Sequence, residues 1–93
     1  MLLTDEEFDV LQDEAINVGF KCDDNYVGRY RTVGTFAIIG TEEMYRLLIL
    51  NIVELIQTSA LDGEVEMLEG YNNMLHLLLY ADKDHLGNNY VWY

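Results

Sequence analysis

The sequence contains no proline, a single cysteine and only five basic residues among its 93 residues. The absence of proline means that no residue imposes the fixed backbone angle that marks a rigid bend. Because Cys22 is the only cysteine, the chain can form neither an internal disulfide nor a cluster of thiolate metal ligands. Asp23 and Asp24 follow Cys22 and disfavour its thiolate form, which argues against a nucleophilic role for this residue.

The shortage of basic residues determines which partners the surface can attract. Seventeen acidic residues leave a formal net charge of −12. Such a surface repels the phosphates of nucleic acid and the anionic leaflet of a membrane, so we expect the chain to bind neither directly. A basic protein surface is the partner that this charge favours, although high net charge also serves to keep a small protein soluble.

Sequence motifs of enzymes and metal sites are missing as well. The chain has no glycine-rich phosphate-binding loop and no nucleophile elbow, and the spacing of His76 and His85 does not fit a zinc site. Residues 82–87 resemble the beginning of a calcium-binding loop, but the later ligand positions hold Leu86 and Tyr93. We therefore expect no enzymatic activity, no metal and no cofactor, and a metal-dependent enzyme is the least favoured hypothesis.

The first forty residues have the pattern of one helix followed by strands. Thr4, with a glutamate three residues later, forms the signature of a capping box and begins a helix that stops near Gly19. Alternating residues predict a strand at 26–33, and the β-branched run at 35–39 predicts its partner in a β-hairpin. Residues 20–22 are expected to add a third short strand.

The most apolar stretch of the chain begins at Thr41, the expected N-cap of a central helix over residues 41–58. Its apolar side chains surround most of the helix, so we expect them to be covered on several sides, by the rest of the chain or by a partner. A third helix is predicted at 64–81 with Asp62 as its cap. The short connection between these two helices makes them an antiparallel hairpin.

Together these elements predict a small α+β domain with the order αββαα and a short C-terminal strand at 90–93. One domain is expected to comprise residues 1–93, a usual length for a single hydrophobic core. Arg46, Asn51 and Glu54 interrupt the apolar run of the central helix, so we expect no membrane span. The N-terminal residues lack the pattern of a signal peptide, and we expect a cytoplasmic protein.

Acidic residues are concentrated in two segments, with six of them in residues 5–14 and four in residues 62–69. On the first helix, Glu6, Asp9 and Asp13 recur at spacings that place their carboxylates about 4.5–6 Å apart along the helix axis. Successive phosphates of a DNA strand advance by about 3.4 Å, a distance of the same order. The pattern therefore favours a DNA mimic that occupies the basic groove of a nuclease or another host-defence protein.

The candidate partner-binding residues are acidic side chains of both segments and aromatic side chains near the C-terminus, which suit interface anchors but equally suit a small core. They are Glu6, Asp9, Asp13, Glu66, Glu69, Tyr90, Trp92 and Tyr93. In general character the chain is similar to phage-encoded anti-defence proteins, and a toxin-immunity protein would use the same acidic-on-basic physics. The alternative hypothesis is a homodimeric structural module that assembles through the apolar central helix.

Overall fold

A computed structural model describes residues 3–23 and 37–92 and confirms the predicted α+β class. Within those residues the chain forms three helices and one antiparallel sheet of four strands. The predicted strand at 26–33 lies outside the described residues. In chain order the elements are α1 Asp5–Asn17, β1 Lys21–Asp23, β2 Ala37–Thr41, α2 Glu42–Asp62, α3 Val65–Leu78, β3 Asp82–Lys83 and β4 Asn88–Trp92.

Helix α1 begins with the capping box that the sequence predicts. The Thr4 hydroxyl accepts a hydrogen bond from the backbone N–H of Glu7 at 3.1 Å, and Oε1 of Glu7 accepts one from the backbone N–H of Thr4 at 3.0 Å. The helix ends at Asn17, and Gly19 follows with a φ of 101°, which glycine adopts without strain. The helix therefore has fixed ends, with an apolar face towards the core and acidic residues towards solvent.

The sheet has the strand order β1-β2-β4-β3, and its neighbouring strands are antiparallel. Ile38 of β2 lies opposite Val91 of β4, and both are buried, so this face of the sheet packs on the hydrophobic core. The strands predicted at 20–22, 35–39 and 90–93 correspond to β1, β2 and β4, each with shifted ends. Strand β3 was not predicted, because a strand of two residues is too short to show periodicity.

Helix α2 begins as predicted but continues further. The Thr41 hydroxyl accepts a hydrogen bond from the backbone N–H of Met44 at 3.3 Å, which confirms Thr41 as the N-cap. The helix runs to Asp62, and Gly63 ends it with a φ of 69°. The prediction that Asp62 caps α3 is therefore wrong, since one left-handed glycine ends α2 and α3 starts after Glu64 without a side-chain cap. Helix α3 also ends three residues earlier than predicted.

The hydrophobic core lies where the three helices meet one face of the sheet. The tip of the α2–α3 hairpin extends beyond it, because α2 has 21 residues and is about 31 Å long at the usual helical rise. Leu61 and Val65, at this tip, are therefore 89% and 71% exposed. The largest fully buried side chains are Leu11, Ile38, Leu48, Ile52, Met74, Leu78 and Val91.

Candidate functional site

A groove that is open to solvent runs between α1 and α3. Its volume is about 300 Å³. Apolar side chains line it: Met74 is buried, whereas Val10 and Met67 are partly exposed. Glu6 of α1 and Glu66 of α3 line the same groove and are exposed. The structure therefore brings together one predicted site residue from each of the two acidic segments.

A glycine within α3 lets the two helices approach closely at this groove. Gly70 is buried, and a Cβ atom at this position would lie 3.0 Å from Oε2 of Glu7. The other carboxylate oxygen of Glu7 accepts the capping hydrogen bond from Thr4, so the side chain is held in place. Glycine in a helix interior costs about 1 kcal/mol relative to alanine. Gly70 thus lowers the intrinsic helix stability but provides space for the Glu7 carboxylate.

The carboxylates at the groove have no cationic side chain as a partner within residues 3–23 and 37–92, since neither Glu6 nor Glu66 forms an ion pair there. Basic residues are instead paired at the start of α2. The Glu42 carboxylate contacts Arg46 at 3.1 Å and Lys83 at 2.9 Å. The hydrogen bond from Lys83 is the main cause that lowers the pKa of Glu42, and both positive charges act in the same direction. Two of the five basic residues are therefore engaged away from the groove.

The remaining predicted acidic site residues are exposed but do not line the groove. Asp9 and Asp13 lie on α1, and Glu69 lies on α3. By helical geometry, Asp9 and Asp13 share the outer side of α1 with Glu6, opposite the buried Leu11. These three acidic residues of α1 thus form one exposed row, and this row borders the groove at Glu6.

Tyr90 is the one predicted aromatic anchor whose side chain the structure describes, and it does not line the groove. Tyr90 lies in β4 and is half-buried, and its hydroxyl donates a hydrogen bond of 2.7 Å to Oδ2 of Asp84. Trp92 is the last residue of β4, but its side chain is outside the described part of the structure, as is all of Tyr93. The described contact gives Tyr90 a role in holding the β3–β4 turn together.

Asp84 lies in the segment that resembles a calcium-binding loop, and the turn itself uses its carboxylate. Oδ1 accepts hydrogen bonds from the backbone N–H groups of Leu86 at 2.9 Å and Asn88 at 3.0 Å. The hydrogen bond from Tyr90 is the main cause that lowers the pKa of Asp84, and the Leu86 and Asn88 donors add to this effect. Among the described residues, no group of three or more metal-ligand side chains comes together.

Cys22 is partly buried next to the core, as a small apolar side chain would be. Burial raises the pKa of its thiol, and a hydrogen bond with Gln12 opposes this effect only in part. A raised pKa disfavours the thiolate, which is the nucleophilic form. The chemistry at Cys22 therefore agrees with the argument made from its two aspartate neighbours.

Helix α2 exposes apolar side chains that we expected to be covered by the chain or by a partner. In the described structure its buried residues are Leu48, Ile52 and Ser59, whereas Leu47 and Leu50 on its outer side are 44% and 57% exposed. By length and composition alone α2 qualifies as a candidate membrane span, with 17% of its apolar window buried, a property that the core helix of a soluble protein can share. The expectation of no membrane span stays a prediction. The described residues thus bury only one side of α2.

The sequence analysis did not identify the apolar residues that shape the groove. Val10 and Met67 are single apolar side chains outside the main core-facing positions of their helices, so their spacing gives no signal. A signal was available at Gly70, because a glycine inside a helical pattern often marks a close approach.

Comparison of the chain with known protein families, with curated proteins and with solved structures finds no match. The charge distribution, the groove and the exposed side of α2 are therefore the features from which a function is inferred.

Proposed function

We propose that this protein is a small acidic inhibitor that mimics nucleic acid and occupies the basic groove of a nuclease or another host-defence protein. The observation that supports this function is the set of exposed acidic side chains on two packed helices. Within residues 3–23 and 37–92, none of these side chains forms an ion pair with a basic residue. The basic residues of the described part of the chain therefore leave this charge unneutralised, which favours a basic partner. The acidic side chains are Glu6, Asp9 and Asp13 on α1 and Glu66 and Glu69 on α3.

A mimic must hold its charges in place before the partner arrives, because ordering them on binding would reduce the affinity. Helix α1 meets this requirement through the capping box at Thr4 and through Phe8, Leu11 and Ala15, which are buried in the core. The net charge of −12 would also steer the protein towards a basic groove and raise the association rate by about ten-fold or more at low salt.

The first test is capture of partners by the immobilised protein from a host lysate. We expect the captured proteins to be basic and to bind nucleic acid, because the partner must itself contain a basic groove that accepts the acidic side chains of α1 and α3. Duplex DNA should displace them, capture should weaken steeply as salt rises, and the protein should inhibit their nuclease activity. Capture of acidic proteins only, or binding that is indifferent to salt, would contradict the proposal.

Two charge-reversal variants of equal net charge test whether capture depends on the position of the acidic residues or only on the total charge. Replacing Glu6, Asp9 and Asp13 with lysine should abolish capture while the helix content by circular dichroism stays unchanged. The matched control reverses three exposed acids of α2, namely Glu43, Glu54 and Asp62, and produces the same net charge. We expect the control variant to retain most of the capture. Equal loss in both variants would mean that no particular acidic face is recognised.

A second candidate function is a homodimeric structural module, and the exposed outer side of α2 favours it. Leu47 and Leu50 lie one turn apart on this side, and Leu61 continues the apolar character towards the hairpin tip. Light scattering after size-exclusion chromatography tests this function directly. A dimer that Leu50→Glu converts to a monomer would support it, whereas a wild-type monomer at all concentrations would exclude it.

A further inference from the structure

We infer that the groove between α1 and α3 receives an arginine side chain of the basic partner, an assignment that rests on the proposed function and extends it. The acidic rows explain attraction to a basic surface in general, but they do not provide a place where one side chain is held. The groove provides such a place, because it combines apolar lining residues with carboxylates from both helices.

The size of the groove suits a side chain better than a small-molecule ligand. Pockets for drug-sized ligands usually have volumes of about 300–1,000 Å³ and enclose most of the ligand. This groove has about 300 Å³ and is open along one side. It therefore fits an extended side chain that enters from a partner surface and remains partly exposed.

The lining of the groove matches a side chain that is apolar along its stem and cationic at its end. Val10 and Met67 offer partly exposed apolar surface on the two helices, and methionine adapts its shape to what it contacts. Glu6 and Glu66 offer carboxylates on the same two helices. No described basic residue pairs with either carboxylate, so an occupant of opposite charge would complement both of them.

Three features favour arginine over lysine in this position. The planar guanidinium group has five donors and can bind carboxylates on two sides, whereas the lysine ammonium acts as a compact point charge. Guanidinium also stacks on aromatic rings, and Tyr71 is a half-buried lining residue of the groove. Arginine is, in addition, the more weakly hydrated cation and so loses less on entering a partly apolar groove.

Methionine methyl signals in NMR spectra provide a direct test on the whole protein. The chain has four methionines, of which Met67 and Met74 line the groove. Met44 is an internal control, because its methyl group lies next to Gly19, which follows the end of α1, and that end is about 10 Å along the helix from the groove residue Val10. The probes are the capped peptides Gly-Arg-Gly, Gly-Lys-Gly and Gly-Ser-Gly, and we expect the arginine peptide to shift Met67 and Met74 most and Met44 least.

Neutral variants test whether the carboxylates at the groove hold the peptide. The double variant Glu6→Gln and Glu66→Gln should weaken binding of the arginine peptide by about three-fold or more, as expected for two exposed ion pairs. The matched control, Asp13→Asn with Glu69→Gln, removes the same charge from the same two helices outside the groove and should change binding by less than about two-fold. Equal losses in the two variants would overturn the assignment, as would equal shifts with the lysine or serine peptide.

A negative result in the peptide titration and a negative result in the partner capture contradict different proposals. If no nucleic-acid-binding protein is captured but the arginine peptide binds as expected, the proposed function is wrong and the groove assignment stands. If capture succeeds and depends on the acidic row of α1, but the groove methyl groups do not respond to arginine, the groove assignment is wrong and the proposed function stands.

Discussion

The groove between α1 and α3 and the outer side of α2 have opposite chemistry. At the groove, Glu6 and Glu66 are exposed while Met74 is buried beneath them. On the outer side of α2, apolar side chains are exposed as well: Leu47 and Leu50 are accessible to solvent next to charged residues such as Glu54. The carboxylates at the groove favour a cationic partner, whereas the exposed leucines of α2 favour an apolar one. The two surfaces therefore suit different kinds of partner.

The difference between the acidic groove and the apolar outer side of α2 shows that net charge alone does not describe the surface. A uniform acidic shell would keep the protein dispersed and would need no further explanation. Here the exposed leucines of α2 add an apolar patch, and such patches on soluble domains mark interaction sites when they are large enough. Under the two functions proposed above, the acidic surface is the one that would bind a target, and the outer side of α2 is the one that would join two copies.

The largest expected effect comes from the buried side of α2. Leu48→Ala or Ile52→Ala should lower the free energy of unfolding by about 2–5 kcal/mol, because both side chains are fully buried and their removal leaves a cavity. Leu47→Ala and Leu50→Ala are the matched controls on the exposed side and should change it by less than about 0.5 kcal/mol. Urea unfolding followed by circular dichroism measures all four variants.

The same unfolding measurement also tests whether the outer side of α2 is exposed to solvent. If Leu50→Ala destabilises the protein strongly, and if the wild-type stability rises with protein concentration, the outer side of α2 is covered by a second copy. If all four variants lose less than half a kilocalorie, the orientation of α2 in the fold is wrong.

A smaller effect is expected from the two threonine caps. Thr4→Ala and Thr41→Ala each remove a side-chain acceptor at a helix start, so each should destabilise the protein by about 1 kcal/mol in thermal or urea unfolding. Only Thr4 lies at the groove, where its backbone N–H holds the Glu7 carboxylate above Gly70. Thr4→Ala keeps this N–H but removes the hydroxyl that accepts from the Glu7 N–H, which loosens the first turn of α1 and the Glu7 side chain with it. The variant should therefore also move the methyl signals of Met67 and Met74.

The serine variants serve as controls, because serine keeps the hydroxyl acceptor. Thr4→Ser and Thr41→Ser should remain close to wild type in stability and in the groove signals. A change of the groove signals in Thr41→Ala as large as in Thr4→Ala would show that the groove responds to general loosening of the fold, and the proposed link through Glu7 would then be wrong.

Much of this fold was predictable because its local signals agree with its tertiary contacts. The apolar periodicity indicates the three helices, and Thr4 with its capping box and Thr41 as N-cap start two of them as predicted. Asp62 was assigned wrongly because aspartate suits a helix start by its side chain, whereas here Gly63 determines where α2 ends. Strand β3 depends on pairing with β4, a contact that its own two residues do not encode.

The candidate site was predictable only in part, for a physical reason. Charge is visible in the sequence, which predicts two of the three acidic residues at the groove as site residues, Glu6 and Glu66, but not Glu7. The shape of a groove depends on how two helices approach, and this approach depends on Gly70 and on the position of the Glu7 side chain. Neither the crossing of α1 and α3 nor the exposure of Leu47 follows from the spacing of residues along one helix.

The smallest expected effect is on the pH dependence of the melting temperature. It distinguishes acidic residues that stabilise the fold from acidic residues that only face solvent. The pKa of Asp84 is lowered by the Tyr90 hydroxyl and the turn N–H groups, so its charged form is favoured in the folded state. Such a group contributes stability at pH values above the unfolded pKa of about 3.9, and the contribution is lost as the pH falls through the lower folded value. Asp84→Asn should therefore lower the melting temperature at neutral pH, and the difference from wild type should shrink in strong acid.

Glu66→Gln is the control for this last comparison, because Glu66 is exposed at the groove and this substitution should leave the melting temperature at neutral pH almost unchanged. Tyr90→Phe should reproduce part of the Asp84→Asn profile, since it removes the strongest of the hydrogen bonds that favour the charged carboxylate. A constant difference between Asp84→Asn and wild type at all pH values would mean that the amide disturbs the turn sterically. In that case the charge of Asp84, like that of the groove acids, would contribute nothing to the stability of the fold.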